Sequence, residues 1–268
     1  MNTYSLKNIS YLFMLALLLS GAGLIHTKFS PPKIVISKQS EAINVNNELV
    51  RLFSSGLERF ISSFLWVTTL IESDVEKYNK RDQNSWMFLR FKSITELDPK
   101  FLRAYQFGGK YLSIVKDDLV GAKYIFEKGL STYPNNYELL FNYAFLLAFE
   151  IYDYKNAVIY YKKLTSYPQA PHFLKSLIPK LMYQQQGSLK EVFPIVLSIF
   201  NNEPEGTFLK KKLKKDLYAI KAEIDLTCLN NKEFNCDRYD INGDPYIKKG
   251  DNFVSPKPFK RYKLFKKN

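Results

Sequence analysis

The sequence predicts an all-α protein built from helical hairpins that stack as a solenoid, followed by a short β-hairpin. Prolines recur in the middle of the chain at intervals of 35, 34 and 36 residues, at Pro99, Pro134, Pro168 and Pro204. Each proline follows a segment of helical apolar periodicity, as expected where a helix must stop. Repeats of this length are typical of solenoids made of helix pairs.

The composition is that of a globular protein with many aromatic side chains. The chain has 268 residues, of which 46% are hydrophobic and 24% are charged, and it includes 19 Tyr and 21 Phe. The net charge of +13 is concentrated in two segments. Residues 207–223 carry six lysines against two acids, and residues 248–268 carry eight basic residues against one acid. Because the rest of the chain is close to neutral, nucleic acid is not the expected partner.

The N-terminal residues 1–25 are interpreted as a transmembrane anchor or a signal segment. Residues 9–25 are uncharged and mostly apolar, and this length is just below the ~20 residues that a spanning helix needs. A signal peptide cleaved near residues 20–22 and a buried helix remain alternatives. The short, lysine-containing start favours export, so we expect a membrane-anchored protein on the periplasmic or extracytoplasmic side. Residues 26–45 are interpreted as a linker.

The repeat pattern is clearest over residues 99–168. The first copy contains Tyr105, Gly109, Leu112, Ala122 and Phe126, and the second contains Leu140, Ala144, Leu147, Ala157 and Tyr161. This order of large and small residues, ending at a proline, resembles the tetratricopeptide repeat (TPR) family. The small residues are expected to let the two helices of a hairpin approach closely. Gly108 departs from the family, which prefers a larger apolar residue there, so local looseness is expected.

The boundaries predicted from this pattern place TPR-like hairpins over residues 46–205. Upstream, the segment around Trp66 suggests a further hairpin with a longer loop near residues 78–83. Downstream, a weaker hairpin turns at Gly187. Residues 206–230 are interpreted as a capping helix, since repeat arrays end in a helix with a polar outer face. Residues 231–268 are interpreted as a C-terminal β-hairpin and a basic tail.

Two features near the C-terminus have more than one interpretation. The lysines at positions 210–215 form either a solvated face of the capping helix or a patch for an anionic partner. Cys228 and Cys236 either form a disulfide in an exported protein or are a small buried residue and an exposed thiol. Tyr246-Ile247 and Phe253-Val254 flank a turn and predict the β-hairpin.

Motifs for chemistry are absent from the sequence. The two histidines, His26 and His172, are far apart, and no metal-binding cysteine pair or phosphate-binding glycine loop occurs. No nucleophile lies in a pattern that would pair it with a base. We therefore expect a protein that is not an enzyme and needs no cofactor or metal.

The resemblance implies that a protein or peptide partner binds a concave groove lined by the first helix of each hairpin. The groove positions would be Arg103, Gln106, Lys110, Glu138, Phe141, Phe145 and Phe149. An alternative is that this phenylalanine stripe is covered by the chain's own residues 46–78 or by its tail. The predicted function is thus a membrane-tethered scaffold for protein partners. The alternative is a binder of anionic membrane or nucleic acid through residues 210–215 and the tail, and the oligomeric state stays open.

Overall fold

The computed structural model describes residues 11, 13–21, 23 and 37–263. They are mostly helical with a small antiparallel sheet near the C-terminus, which confirms the predicted all-α class and the short β-hairpin. The chain divides into two compact units, residues 1–41 and 42–268. The elements are α1 Lys38–Asn44, α2 Asn47–Ser54, α3 Glu58–Ile71, α4 Trp86–Leu97, α5 Leu102–Ile114, α6 Leu119–Thr132, α7 Tyr137–Phe145, α8 Tyr154–Leu164, α9 Leu174–Gln186, α10 Leu189–Asn202, α11 Phe208–Asn230, β1 Ile247–Lys249 and β2 Asn252–Val254.

The predicted anchor lies only partly within the described residues. Residues 13–21 are helical, and their large apolar side chains are exposed. No helix in the described part of the chain combines the length and the apolarity that crossing a membrane requires. Residues 1–10 and most of the predicted linker lie outside the described residues. The end of that linker differs from the expectation, because it forms the helix α1.

The helices from α3 to α8 form three hairpins that pack in chain order. Each helix contacts the next one along the chain, and α5 also contacts α7 while α4 contacts α6. The turns inside the second and third hairpins are alike. Asp118 donates its backbone N–H to Leu112, and Asp153 donates to Leu147, at 2.8 Å in both cases. Each aspartate also caps the helix that follows it.

The turns between hairpins are held by tyrosine hydroxyl groups. Tyr133 precedes Pro134 and donates to the backbone carbonyl of Lys100 at 2.7 Å. Tyr167 precedes the next proline and donates to the carbonyl of Asn135 at 2.9 Å. Since Lys100 and Asn135 occupy the same place in successive turns, each turn is tied to the one before it.

Small residues let the helices approach closely, as expected from the pattern. A Cβ atom on Gly109 would lie 2.5 Å from Cζ of Phe126, and one on Gly129 would lie 2.8 Å from Cβ of Tyr105. Gly108 is not a loose position, because the ring of Phe91 occupies the space beside it. A Cβ there would lie 2.9 Å from Cγ of that ring. A side chain of the preceding hairpin thus fills the space that a larger residue at position 108 would need.

A π-helical segment, Leu146–Ile151, continues α7 and was not predicted. Its first three residues are buried in the main core. Tyr152 then adopts a left-handed conformation with φ of 63°, and Asp153 begins α8. Asp117 adopts the same conformation, with φ of 56°, in the preceding hairpin. The π-helical segment is therefore followed, as α5 is, by a left-handed residue directly before the aspartate that caps the next helix.

The C-terminal part has a second core between α10 and α11, built around Val192, Val196, Leu213, Leu217 and Ile220. The sheet packs on α11, with Ile247 paired to Val254 and Lys249 to Asn252. The hydroxyl of Tyr246 donates to Asp225 of α11 at 2.8 Å. Cys228 and Cys236 form a disulfide that ties the end of α11 to the following loop.

The predicted basic tail is folded against α11 as far as residue 263. Tyr262 is buried, and its backbone N–H donates to Glu223 at 2.5 Å. Its ring lies 5.9 Å from that of Tyr183 on α9. Two apolar side chains in the basic run, Phe259 and Tyr262, pack on the second core and hold the segment in place. Residues 264–268 lie outside the described residues.

Candidate functional site: the groove formed by α3, α5 and α7

The predicted groove residues of α5 are brought beside those of α7, where most of the polar ones pair. Lys110 forms an ion pair with Glu138, with Nζ and Oε1 2.8 Å apart and both side chains about half exposed. Gln106 lies 3.4 Å from the side-chain oxygen of Asn136. Arg103 is exposed on the same helix. The centre of the predicted groove is therefore polar, and the ion pair neutralises part of its charge.

The three predicted phenylalanines differ in exposure. Phe141 is half-buried, stacked on Tyr137 with 6.1 Å between ring centroids and edge-on to Tyr161 at 6.3 Å. Phe145 is 40% exposed, and its ring lies 5.0 Å from that of Phe149. Phe141 and Phe149 pack partly against the core, whereas Phe145 presents much of its ring to solvent. Of the three phenylalanines, Phe145 is therefore the one best placed to contact a partner.

The helix α3 and the loop after it carry exposed apolar residues that the sequence reasoning missed. Phe64, Val67, Ile71 and Val75 stand 39 residues before Arg103, Gln106, Lys110 and Ile114. The exposed fractions are 61% for Phe64, 52% for Val67, 78% for Ile71 and 81% for Val75. These spacings of three and four place Phe64, Val67 and Ile71 on one side of the helix. They form an unpartnered apolar stripe in the chain as described.

The opposite side of α3 is buried and combines the polar Ser62 and Thr69 with Leu65 and Trp66, which pack against the main core. Ser62 is fully buried and donates to the carbonyl of Ile94 on α4 at 3.0 Å. Thr69 is fully buried and donates to Leu65 at 2.6 Å. Apolar side chains normally face the core of a surface helix. Here, apolar side chains lie on both sides of the helix, so the exposed stripe is additional to the side that packs on the core.

Contacts of Trp66 place α3 next to α5. Its ring lies 5.4 Å from Phe101 and 5.3 Å from Phe107. The loop between α3 and α4, residues 72–85, is anchored on the turn after α5. Lys116 forms an ion pair with Asp74, and Tyr111 donates to the Asp74 carbonyl at 3.0 Å. The first helices of three successive hairpins are therefore neighbours in the order α3, α5, α7.

Burial shifts the pKa values of one tyrosine in this loop and of two ionisable groups in the neighbouring hairpins. Burial and the hydrogen bond to Asp82 raise the pKa of Tyr78 to about 12. Burial, together with the nearby Glu127 carboxylate, raises the pKa of Tyr143, whose hydroxyl donates to Glu127 at 2.6 Å. Burial lowers the pKa of Lys128. These tyrosines remain neutral hydrogen-bond donors, which is a structural role.

The described residues offer no arrangement for metal binding. No group of three or more His, Cys, Asp or Glu side chains converges among them. His172 lines a mostly apolar pocket of about 260 Å³ with Phe173, Phe208 and Leu209, while His26 lies outside the described residues. The groove itself can bind apolar and polar groups but presents no nucleophile beside a base.

The lysines of α11 do not form one continuous face. Lys210 is buried, its Nζ donates to the Glu203 carbonyl at 2.9 Å, and it pairs with Glu205 at 3.1 Å. It also lies 4.3 Å from the centre of the Phe200 ring. Lys210 is thus a structural residue, contrary to its inclusion in an anionic-partner patch. Lys214 and Lys215 are exposed.

Comparisons with known proteins assign the chain to no family. No protein-family model, no curated protein and no solved structure matches it. The resemblance to TPR proteins therefore remains a prediction from the residue pattern. The function is argued below from the geometry of the described residues.

Proposed function

We propose that this chain is a non-enzymatic, membrane-tethered scaffold of TPR-like hairpins, whose groove on α3, α5 and α7 binds a segment of a partner protein. The N-terminal residues 1–25 supply the tether, and the hairpins lie on the extracytoplasmic side. A disulfide between Cys228 and Cys236 supports that location, since disulfides persist in oxidising compartments.

The observation that carries the proposal is the pair of exposed apolar surfaces at the two ends of the groove. Phe64, Val67 and Ile71 are exposed on α3, and Phe145 is exposed on α7, which are the two outer helices of the proposed groove. Exposed apolar clusters rimmed by polar residues are typical of protein-binding surfaces. Large apolar side chains in such positions commonly contribute most of the binding free energy.

The arrangement of charge indicates what kind of segment would fit. The Lys110–Glu138 ion pair and the Gln106–Asn136 contact lie between the two apolar ends. A partner helix with apolar side chains near both ends and a polar group between them would match this pattern. A strongly charged peptide would not, because the central ion pair already neutralises the groove.

The test uses the full-length protein extracted from its native membrane with the proteins bound to it. The variant Val67→Ser/Ile71→Ser and the variant Phe145→Ser each remove apolar contacts from one end. The exposed Ile159 of α8 lies outside the groove, so Ile159→Ser is the matched control. Truncating an anchor residue of an interface costs about 2 kcal/mol or more.

We expect the same partner to be lost from both groove variants and kept by the Ile159→Ser control. Retention of every bound protein by both groove variants would contradict the proposal. Equal loss in the control would also contradict it, because the effect would then follow from surface apolarity in general.

A further inference from the structure

A cavity of about 600 Å³ lies between α11 and the C-terminal segment that folds back on it. Its lining is Lys212, Lys214, Lys215, Asp216, Tyr218, Ile241, Asn242, Lys257, Pro258, Phe259 and Lys260. This volume is in the range of small-molecule sites. The cavity is separate from the groove of the proposed scaffold.

The electrostatics of this cavity favour an anion. Five lysines and one carboxylate line it. The carboxylate, Asp216, is already paired with Lys180, with Nζ and Oδ1 3.5 Å apart. Burial and the nearby Lys180 ammonium lower the pKa of Lys212. Lys257 is paired with Asp244, so the excess positive charge at the cavity comes from the exposed Lys214 and Lys215.

Apolar and aromatic side chains form the remaining wall. The rings of Tyr218 and Phe259 meet edge to face, with centroids 6.2 Å apart. Ile241 and Pro258 complete this side. A ligand with a phosphate group and an apolar part would place its charge near the lysines and its apolar part against these rings.

Contacts within the C-terminal part of the chain hold the walls of the cavity in place. The buried Tyr262 holds the C-terminal segment on α9 and α11. Lys257 forms an ion pair with Asp244 at 2.6 Å, and the hydroxyl groups of Tyr218 and Ser255 lie 2.6 Å apart. These contacts preserve the space between the lysines of α11 and those of the segment, so ligand binding requires little rearrangement.

We propose that this cavity binds a phosphate-bearing molecule that also has an apolar part, either a soluble phosphorylated compound or the headgroup of an anionic phospholipid. Lys214 and Lys215 contact the phosphate from α11. Phe259 contacts the apolar part.

The experiment compares the full-length protein with two double variants. Lys214→Gln/Lys215→Gln removes two lysines from the cavity. Lys190→Gln/Lys211→Gln removes two exposed lysines that do not line it, so the net charge change is the same. Inorganic phosphate and phenyl phosphate are the soluble probes, measured by calorimetry. Vesicles of phosphatidylcholine with and without phosphatidylglycerol are the lipid probes, measured by cosedimentation.

We expect phenyl phosphate to bind more tightly than inorganic phosphate if the source is a soluble compound. If the source is a lipid, the phosphatidylglycerol vesicles are preferred. In either case the cavity variant should bind about 25-fold more weakly and the control should change little, since each of the two basic residues removed contributes about a factor of five near an anionic surface. Phe259→Ser should reduce the preference for phenyl phosphate.

The proposal is overturned if the unaltered protein binds neither soluble probe and does not distinguish the two vesicle compositions. It is also overturned if the control variant loses as much binding as the cavity variant, because the attraction would then be due to net charge. Circular dichroism of each variant shows whether the helices are retained, and a variant that loses them is replaced by the single substitution Lys214→Gln.

Discussion

Replacing Gly109 with alanine tests whether α5 and α6 pack as closely as the structure indicates. The added Cβ would lie 2.5, 2.6 and 2.7 Å from three atoms of the Phe126 ring, whereas carbon atoms in contact prefer about 3.5–4.0 Å. Overpacking of this kind costs about 1–3 kcal/mol. Alanine regains up to about 1 kcal/mol because it favours the helix over glycine. We therefore expect Gly109→Ala to lower the free energy of unfolding by about 1 kcal/mol.

A double-mutant cycle separates the two contributions. In the background Phe126→Leu, the ring that meets the new Cβ is removed, so only the helix preference of alanine should remain. Gly109→Ala should then be neutral or stabilising, with a coupling energy of about 1–3 kcal/mol. Urea denaturation of the four proteins measures it. If Gly109→Ala is equally destabilising in both backgrounds, or stabilises the unaltered protein, the reasoning on helix approach is wrong.

Two further predictions concern the C-terminal part. Replacing Cys228 and Cys236 with serine should lower the free energy of unfolding by about 2–3 kcal/mol, because the disulfide restrains the unfolded chain; unchanged urea denaturation would contradict this. The hydrogen bond from Lys221 holds the pKa of Asp237 below its ordinary value of 3.8. The folded state thus binds fewer protons than the unfolded state near that pH, and this stabilisation is present above pH 3.8 and lost as the pH falls further. Asp237→Asn should flatten the acid branch of the stability curve, and an unaltered acid branch would count against the pairing.

The hairpin arrangement follows from local signals in the sequence, and these account for much of the fold. The proline spacing and the small residues at Gly109 and Ala144 predict helices that pack closely in chain order. Asp118 and Asp153 stand 35 residues apart because each caps the second helix of its hairpin. Such features depend on residues that are near each other in the chain, and they can therefore be predicted from the sequence alone.

The features that the sequence does not predict depend on contacts between distant residues. Lys110 can pair with Glu138 only because α5 and α7 pack side by side. The burial of Lys210 depends on the Glu203 carbonyl and the Phe200 ring, so a solvated lysine face was the simpler expectation. The C-terminal segment was expected to be a basic tail, but the packing of Tyr262 on α9 holds it in place, and it forms one wall of the cavity.

The groove residues of α3 were missed for a different reason. The loop of residues 72–85 lengthens the first hairpin and shifts its repeat from 35 to 39 residues. Phe64, Val67 and Ile71 therefore fall out of register with the two clear repeats. The signal was present in their helical spacing and in the polar Ser62 on the opposite side, which together indicate an outward-facing apolar stripe.

The most direct test of the scaffold proposal is a map of photocrosslinks in living cells. A photoreactive amino acid is placed singly at Ile71, at Phe145 and at Ile159, all of which are exposed. The account predicts that Ile71 and Phe145 crosslink to one and the same partner protein and that Ile159 does not. Crosslinks to lipid, to a second copy of this chain or equally from Ile159 would contradict it.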